Sequence, residues 1–217
     1  MAHPSPPAWS VIVPVKVLSV AKSRLAGLSG DSRRALALAM AADTVAAAVA
    51  CESVRAVLVV SDDPAVRGQV AALGARVIAD SRAAGLNGAL AAGAEHEARR
   101  WPGRGLAALT ADLPALTPGE LGRALAAAWH VAHAFVADAA GSGTTLYTAR
   151  PGEPFGPRFG PGSREEHRAA GAVEIDLPGL DGLRQDVDTL ADLQAAIRIG
   201  LGRRSAAVAA ALAGPAC

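Results

Sequence analysis

The chain has 217 residues, enough for one domain with a sizeable core and no need of disulfides or a structural metal. Its formal charge of +1 supplies no global field to recruit nucleic acid or an anionic membrane, so any phosphate binding must be local. Apolar residues make up 51% and aromatic ones only 3%, which leaves the core to Val, Leu, Ile and Ala, side chains suited to helices packed on a buried parallel sheet. Two cysteines, Cys51 and Cys217, cannot form a metal cluster and suggest no disulfide framework; Cys51 reads as a small hydrophobe on a helix. No apolar run reaches 18 residues, and the opening residues lack a basic region followed by an apolar one. A soluble, cytoplasmic protein is expected, with residues 1–8 a leader, 9–200 the folded domain and 201–217 an Ala-rich tail whose stretch 205–217 should fray.

Residues 9–15 form a short apolar run consistent with a buried first strand, followed by a polar loop over 16–30. Asp31 is placed to cap a helix whose periodic part is 35–50. Residues 54–60 are a β-branched strand closed by Ser61-Asp62-Asp63-Pro64, with a helix over 65–73 and a third strand over 76–79. A helix over 87–100 precedes a fourth strand at 105–110, closed by Ala111-Asp112-Leu113-Pro114. Thr117-Pro118-Gly119-Glu120 starts a helix running to about residue 132: Thr as N-cap, Pro at the first position, Glu at the third. A fifth strand follows at 134–137. Residues 139–162 are dense in Gly and Pro without a period, and read as one long functional loop. A short strand at 172–175, the start of a last one at Asp186-Val187 and a helix over 189–199 complete the pattern. Strand–helix alternation predicts a single-domain α/β fold with a mostly parallel, doubly wound sheet flanked by helices. Ligands of such sheets bind outside the carboxyl ends of the strands. The loops at 16–24, 61–64, 112–114 and 186–188 therefore converge on one edge.

Chemistry concentrates in those loops. Lys16 and Lys22 are the only lysines among 21 basic residues, and both lie with Ser23 and Arg24 in the first loop. Lysine differs from arginine in being a compact point charge that can follow a phosphoryl oxygen, and three cations there suit a triphosphate. The loop lacks the glycines of a Walker A sequence. Asp112, directly after an apolar strand, can hold a hard cation such as Mg²⁺ together with substrate phosphates, or cap a turn. In Asp186-Val187-Asp188 the two carboxylates share a face of an extended segment, although Asp188 is also placed to cap the final helix. Gly141-Ser142-Gly143-Thr144-Thr145 and Phe159-Gly160-Pro161-Gly162-Ser163 bracket the long loop with main-chain and hydroxyl donors able to clamp a small phosphorylated acid. His96, His130 and His133 fall on expected helices without a partner pattern, and His167 stands where it could approach an anion.

Pro14-Val15-Lys16 with Ala21-Lys22-Ser23-Arg24-Leu25, Leu86-Asn87, Thr110-Ala111-Asp112-Leu113-Pro114, Gly143-Thr144-Thr145, Phe159 to Ser163 and Asp186-Val187-Asp188-Thr189 occur in this order. As a set they resemble the guanylyltransferases that make the diphosphate precursor of the deazaflavin coenzyme F-420. The resemblance covers about residues 9–200. It implies a nucleotidyltransferase fold of the glycosyltransferase A type, with Mg²⁺ and GTP. It departs from the wider sugar-nucleotide class, whose first loop is Gly-rich.

By resemblance, Lys16, Lys22 and Arg24 would be catalytic and nucleotide-binding residues, with Asn87 on the guanine or ribose. Asp112 and one of Asp186 or Asp188 would be the metal positions, and Thr145, Gly160 and Ser163 would bind the acceptor. Family acceptors are 2-phospho-L-lactate, phosphoenolpyruvate and 3-phospho-D-glycerate. The Arg, Ala and Gly bias looks like that of a GC-rich actinobacterium, where the phosphoenolpyruvate version is expected. The expected reaction is attack of the acceptor's phosphate oxygen on the α-phosphorus of GTP, with pyrophosphate leaving. The 2-phospho-L-lactate enzyme is the alternative acceptor reading. A glycosyltransferase using Asp186-Val187-Asp188 and a non-catalytic nucleotide-binding protein are the rivals from other classes.

Overall fold

The computed structural model describes residues 8–16, 25, 27–80 and 85–213. Its seven strands form one sheet in the order β3-β2-β1-β4-β6-β5-β7. The central strand β1 (Trp9–Pro14) is buried along its whole length. It pairs in parallel with β2 (Val54–Val60) on one side and β4 (Gly105–Leu109) on the other, and β3 (Arg76–Ile78) adds to β2 in parallel. Both faces of such a strand are covered, which is why these runs are continuously apolar rather than alternating. Beyond β4 the direction reverses. β6 (Thr144–Ala149) is antiparallel to β4 and to β5 (His133–Ala137), and β7 (Val173–Glu174) returns parallel to β5.

Side chains alternate across the sheet into two cores. Val11, Val13 and Val59 point to the face covered by α1 (Gly30–Ala50), α2 (Pro64–Ala71) and α4 (Pro118–Ala128). Ile12, Val60, Phe135 and Tyr147 point to the opposite face, covered by α3 (Gly85–Arg100) and by Phe159. Gly93 lets α3 lie close on β1, because a Cβ there would stand 2.7 Å from the Ile12 side chain. The remaining helices are α5 (Ser163–Ala169), α6 (Asp181–Arg184), α7 (Leu190–Ile199) and α8 (Arg203–Ala213). No helix among the described residues is long and apolar enough to cross a membrane.

Several expectations need correction. The stretch 139–162 is not one loop: it contains β6, the strand that joins β4 to β5. Thr144-Thr145-Leu146-Tyr147-Thr148 is rich in strand formers, but short Gly- and Pro-dense flanks mask it. No strand forms at Asp186-Val187; Val187 makes a single main-chain bond to the Asp112 carbonyl, 3.1 Å. The cap of α1 is Ser29, whose hydroxyl accepts from the Ser32 amide, and Asp31 lies inside the first turn. The final predicted helix is capped by Thr189 in a capping box with Asp192, not by Asp188. His133 is on a strand. Residues 203–213 do not fray: α8 packs on α1, and the Asp43 carboxylate accepts from the amides of Ser205 (2.7 Å) and Arg204 (3.2 Å). Cys51 is buried at the end of α1, as its reading required.

Candidate active site

Because β6 runs backwards, its amino end lies beside the carboxyl end of β4, with Leu109 opposite Leu146 and the Thr110 amide bonded to the Thr145 carbonyl, 3.0 Å. The strand order also diverges at β1, the place where open α/β sheets leave a crevice. A cavity of about 540 Å³ opens on this edge. Thr110, Asp186 and Asp188 form one wall; Asp138, Gly143 and Thr144 form the next; and residues 159–163 close it over Leu86 of α3.

Each wall is held from behind. On the first, the buried Thr44 hydroxyl of α1 accepts from the Leu113 amide (3.1 Å) and lies 3.3 Å from the Ala111 carbonyl. With the bond from the Val187 amide, this fixes the backbone on both sides of Asp112 and brings the 186–188 segment against it. On the second, Asp138 accepts from the amides of Ser142 (2.9 Å) and Gly143 (2.8 Å), closing the β5–β6 turn. A side chain at Gly143 would collide with that carboxylate. On the third, Asn87 uses both ends of its amide on Phe159: Nδ2 donates to the carbonyl at 3.0 Å and Oδ1 accepts from the amide at 2.9 Å. Arg164, in α5, donates to the Gly141 carbonyl (2.9 Å) and pairs with Glu174 (2.9 Å). Burial pushes the Glu174 carboxyl up, but hydrogen bonds from Arg164 and Arg168 outweigh it and lower the pKa.

His167 is fully buried behind these walls. Its ring stacks on Tyr147 with centroids 4.8 Å apart, and touches Phe135 and Phe159. Its Nε2 accepts from the Arg158 amide (2.8 Å) and its Nδ1 lies 3.0 Å from the Thr144 Oγ1. Burial, with the nearby Arg158 charge, lowers its pKa to about 4. The imidazole is therefore a neutral internal brace, not the anion ligand its position in the sequence suggested.

Gly160, Ser163, Asp186 and Asp188, expected at the acceptor and the metal, all line the cavity. Thr145 lies one residue behind the wall, fully buried, with no hydrogen-bond partner for its hydroxyl. Asp112 sits beside the cavity at the end of β4, half-buried. Lys16 is exposed just past β1, and Lys22 and Arg24 lie outside the described residues. Asn87, expected on the guanine or ribose, has its side-chain amide hydrogen-bonded to the Phe159 main chain. The sequence reading missed Thr110, Asp138 and Thr144 as wall residues; the run of strand formers after Gly143 was the available signal for the last.

The described walls offer hard oxygen donors, carboxylates and hydroxyls, and no Lys or Arg side chain. Among the described residues no three His, Cys, Asp or Glu side chains group closely enough to cage a metal. This donor set fits Mg²⁺, which is commonly held by one or two carboxylates together with substrate phosphates. Asp138, Asp186 and Asp188 would also repel an anionic substrate unless a cation intervened.

The family profile described as "Guanylyl transferase CofC like" matches residues 9–205. A relative from Thermomonospora curvata, named phosphoenolpyruvate guanylyltransferase, is 56% identical over 96% of this chain and 92% of its own length. Relatives of the same name from Streptomyces avermitilis (55%; 94% of this chain, 95% of its own) and Streptomyces coelicolor (54%; 94% and 97%) agree. Among solved structures, a Desulfovibrio desulfuricans protein named for nucleotide-diphospho-sugar transfer has a TM-score of 0.64 at 19% identity, covering 85% of this chain and 84% of its own. A nucleotidyl transferase from Methanothermobacter has a TM-score of 0.55 at 17% identity, covering 88% and 97%. These structures share the overall fold with this chain. Matched along nearly its whole length, the chain belongs to the CofC-like guanylyltransferase family.

Proposed function

We propose that the protein transfers GMP from GTP to phosphoenolpyruvate, giving enolpyruvoyl-2-diphospho-5′-guanosine and pyrophosphate, a step in coenzyme F-420 biosynthesis. The observation that carries this reading is the two-sided cavity: Asp186, Asp188 and Thr110 on one wall, and on the other the glycines and hydroxyls at 143–144 and 160–163, beside an Asp138 carboxylate already accepting from the turn amides. The first wall suits a nucleotide brought in with a divalent cation. The second suits a small phosphorylated acid, and the names of the relatives at 54–56% identity support phosphoenolpyruvate as that acid.

The acceptor's phosphate oxygen forms a bond to the α-phosphorus, and the bond from that phosphorus to the β-phosphate bridging oxygen breaks. The nucleophile is already anionic, so no protein base is needed, and catalysis consists of positioning and charge stabilisation. Lys16, Lys22 and Arg24 hold the triphosphate and neutralise the departing pyrophosphate. Asp112, with one of Asp186 and Asp188, would hold Mg²⁺, which would supply charge neutralisation at the phosphates when bound. Thr145, Gly160 and Ser163 orient the acceptor, Gly160 and Ser163 from the wall and Thr145 through the strand that forms it. Asn87 supports this arrangement by fastening Phe159.

The test is pyrophosphate release from GTP and Mg²⁺ with each of phosphoenolpyruvate, 2-phospho-L-lactate and 3-phospho-D-glycerate. Turnover with phosphoenolpyruvate well above the other two is expected. Preference for another acid overturns the acceptor, and no release with any of them overturns the activity.

A further inference from the structure

The two nitrogens of His167 assign a direction to a hydrogen bond in the cavity wall. The Arg158 amide donates to Nε2 at 2.8 Å, so that nitrogen carries a lone pair. A neutral imidazole with its lone pair on Nε2 has its proton on Nδ1. Nδ1 stands 3.0 Å from the Thr144 Oγ1, with the Ser163 main chain as a further partner of the ring, so this nitrogen has no lone pair to offer the hydroxyl hydrogen. A charged ring would set an Nε2–H against the Arg158 N–H, and in a fully buried site no water would relieve that clash. Rotation of the ring is blocked by Tyr147 on its face and by Phe135 and Phe159 around it.

The Thr144 hydroxyl therefore cannot give its own hydrogen to the imidazole. Thr144 is the first residue of β6 and part of the cavity wall between Asp138 and the 159–163 segment. We propose that Thr144 donates this hydrogen to an anionic oxygen, carboxylate or phosphate, of the phosphorylated acid, and that His167 is the positioning residue that forces it to be a donor. The inference rests on taking this wall as the acceptor's side. It adds a side-chain donor next to Thr145, and it explains a buried imidazole that takes no part in the chemistry itself.

The test compares Thr144→Val, which keeps the shape and removes the hydroxyl, with Thr144→Ser, which restores it. A hydrogen bond to a charged group is lost in the first, so KM for the acceptor should rise about ten- to a hundredfold. KM for GTP should stay within about twofold, and Thr144→Ser should return the acceptor KM to within about threefold of wild type. ¹⁵N NMR of the wild-type protein should find the His167 proton on Nδ1. An unchanged acceptor KM in Thr144→Val, equal rises for both substrates, or a proton on Nε2 overturns the inference while leaving the proposed activity intact. A wild-type enzyme that transfers GMP to none of the three acids overturns the activity, and this inference with it.

Discussion

In the parallel half of the sheet, β3-β2-β1-β4, most polar side chains at the ends of β2 and β3 and behind β4 serve local closure, Thr110 at the cavity apart. Asp63 caps α2 by accepting from the amides of Ala65 and Val66, and Asp62 accepts from the Asp80 amide. Thr44 clasps the turn after β4. In the other half, β6-β5-β7, the polar groups face a cavity and are themselves held by a second layer: Asp138 by the turn amides, Phe159 by Asn87, Thr144 by His167. The difference follows from one reversed strand. A parallel sheet presents only carboxyl ends at its ligand edge, whereas β6 brings an amino end there, with its turn amides and hydroxyls. On the proposed reading, the nucleotide and a small acid would thus meet on the same edge.

The sharpest way to break this division is to remove charge on the nucleotide side. Lys22→Ala and Asp112→Asn should each lower kcat by on the order of a hundredfold or more, because both act on charge developing in the transition state. Steady-state kinetics at saturating Mg²⁺ check this, and wild-type kcat in either variant removes that residue from the proposed machinery.

A middle-sized effect probes the brace of the acceptor side. His167 has a folded pKa of about 4 against an ordinary value of 6.5, so between these pH values the unfolded chain binds a proton that the folded one refuses. Its contribution is complete above pH 6.5 and is lost as the pH falls toward 4. Melting curves should show wild type losing on the order of 5 °C more than His167→Gln across that window. Parallel pH dependence of the two proteins would count against a buried neutral imidazole.

The smallest effect should come from the parallel half. Asp63→Ala removes an N-cap worth about 1 kcal/mol and should lower Tm by about 2–4 °C. Because Asp63 lies outside the cavity walls, kcat and both KM values should be those of wild type, and altered kinetics would show that capping in this half does reach the site.

Much of the parallel half was legible in the sequence. The apolar runs of β1, β2 and β4 end at Pro14, Ser61 and Asp112, and Thr117-Pro118-Gly119-Glu120 forms the capping box it spells. Gly160, Ser163, Asp186 and Asp188, singled out in the sequence for acceptor and metal roles, lie along the cavity. The other half was harder because its order comes from partners far apart in the chain. Nothing near Asn87 announces Phe159, and nothing near His167 announces Thr144 or the Arg158 amide. β6 itself was hidden because a six-residue strand between Gly-rich and Pro-rich segments leaves too few residues for a period to show.

The docking of α8 has a consequence for how the sequence can drift. Asp43 grips main-chain amides at the start of this helix, and Gly202 is needed because a Cβ there would stand 2.5 Å from the Asp43 carboxyl carbon. Besides these amides, the attachment uses the inward-facing Ser205 and Val208 and the Arg204 guanidinium, 3.5 Å from the Asp43 carboxylate. The exposed positions of 203–213 can therefore change identity generation after generation, and remain Ala-rich or not, while Asp43 and Gly202 keep α8 in place.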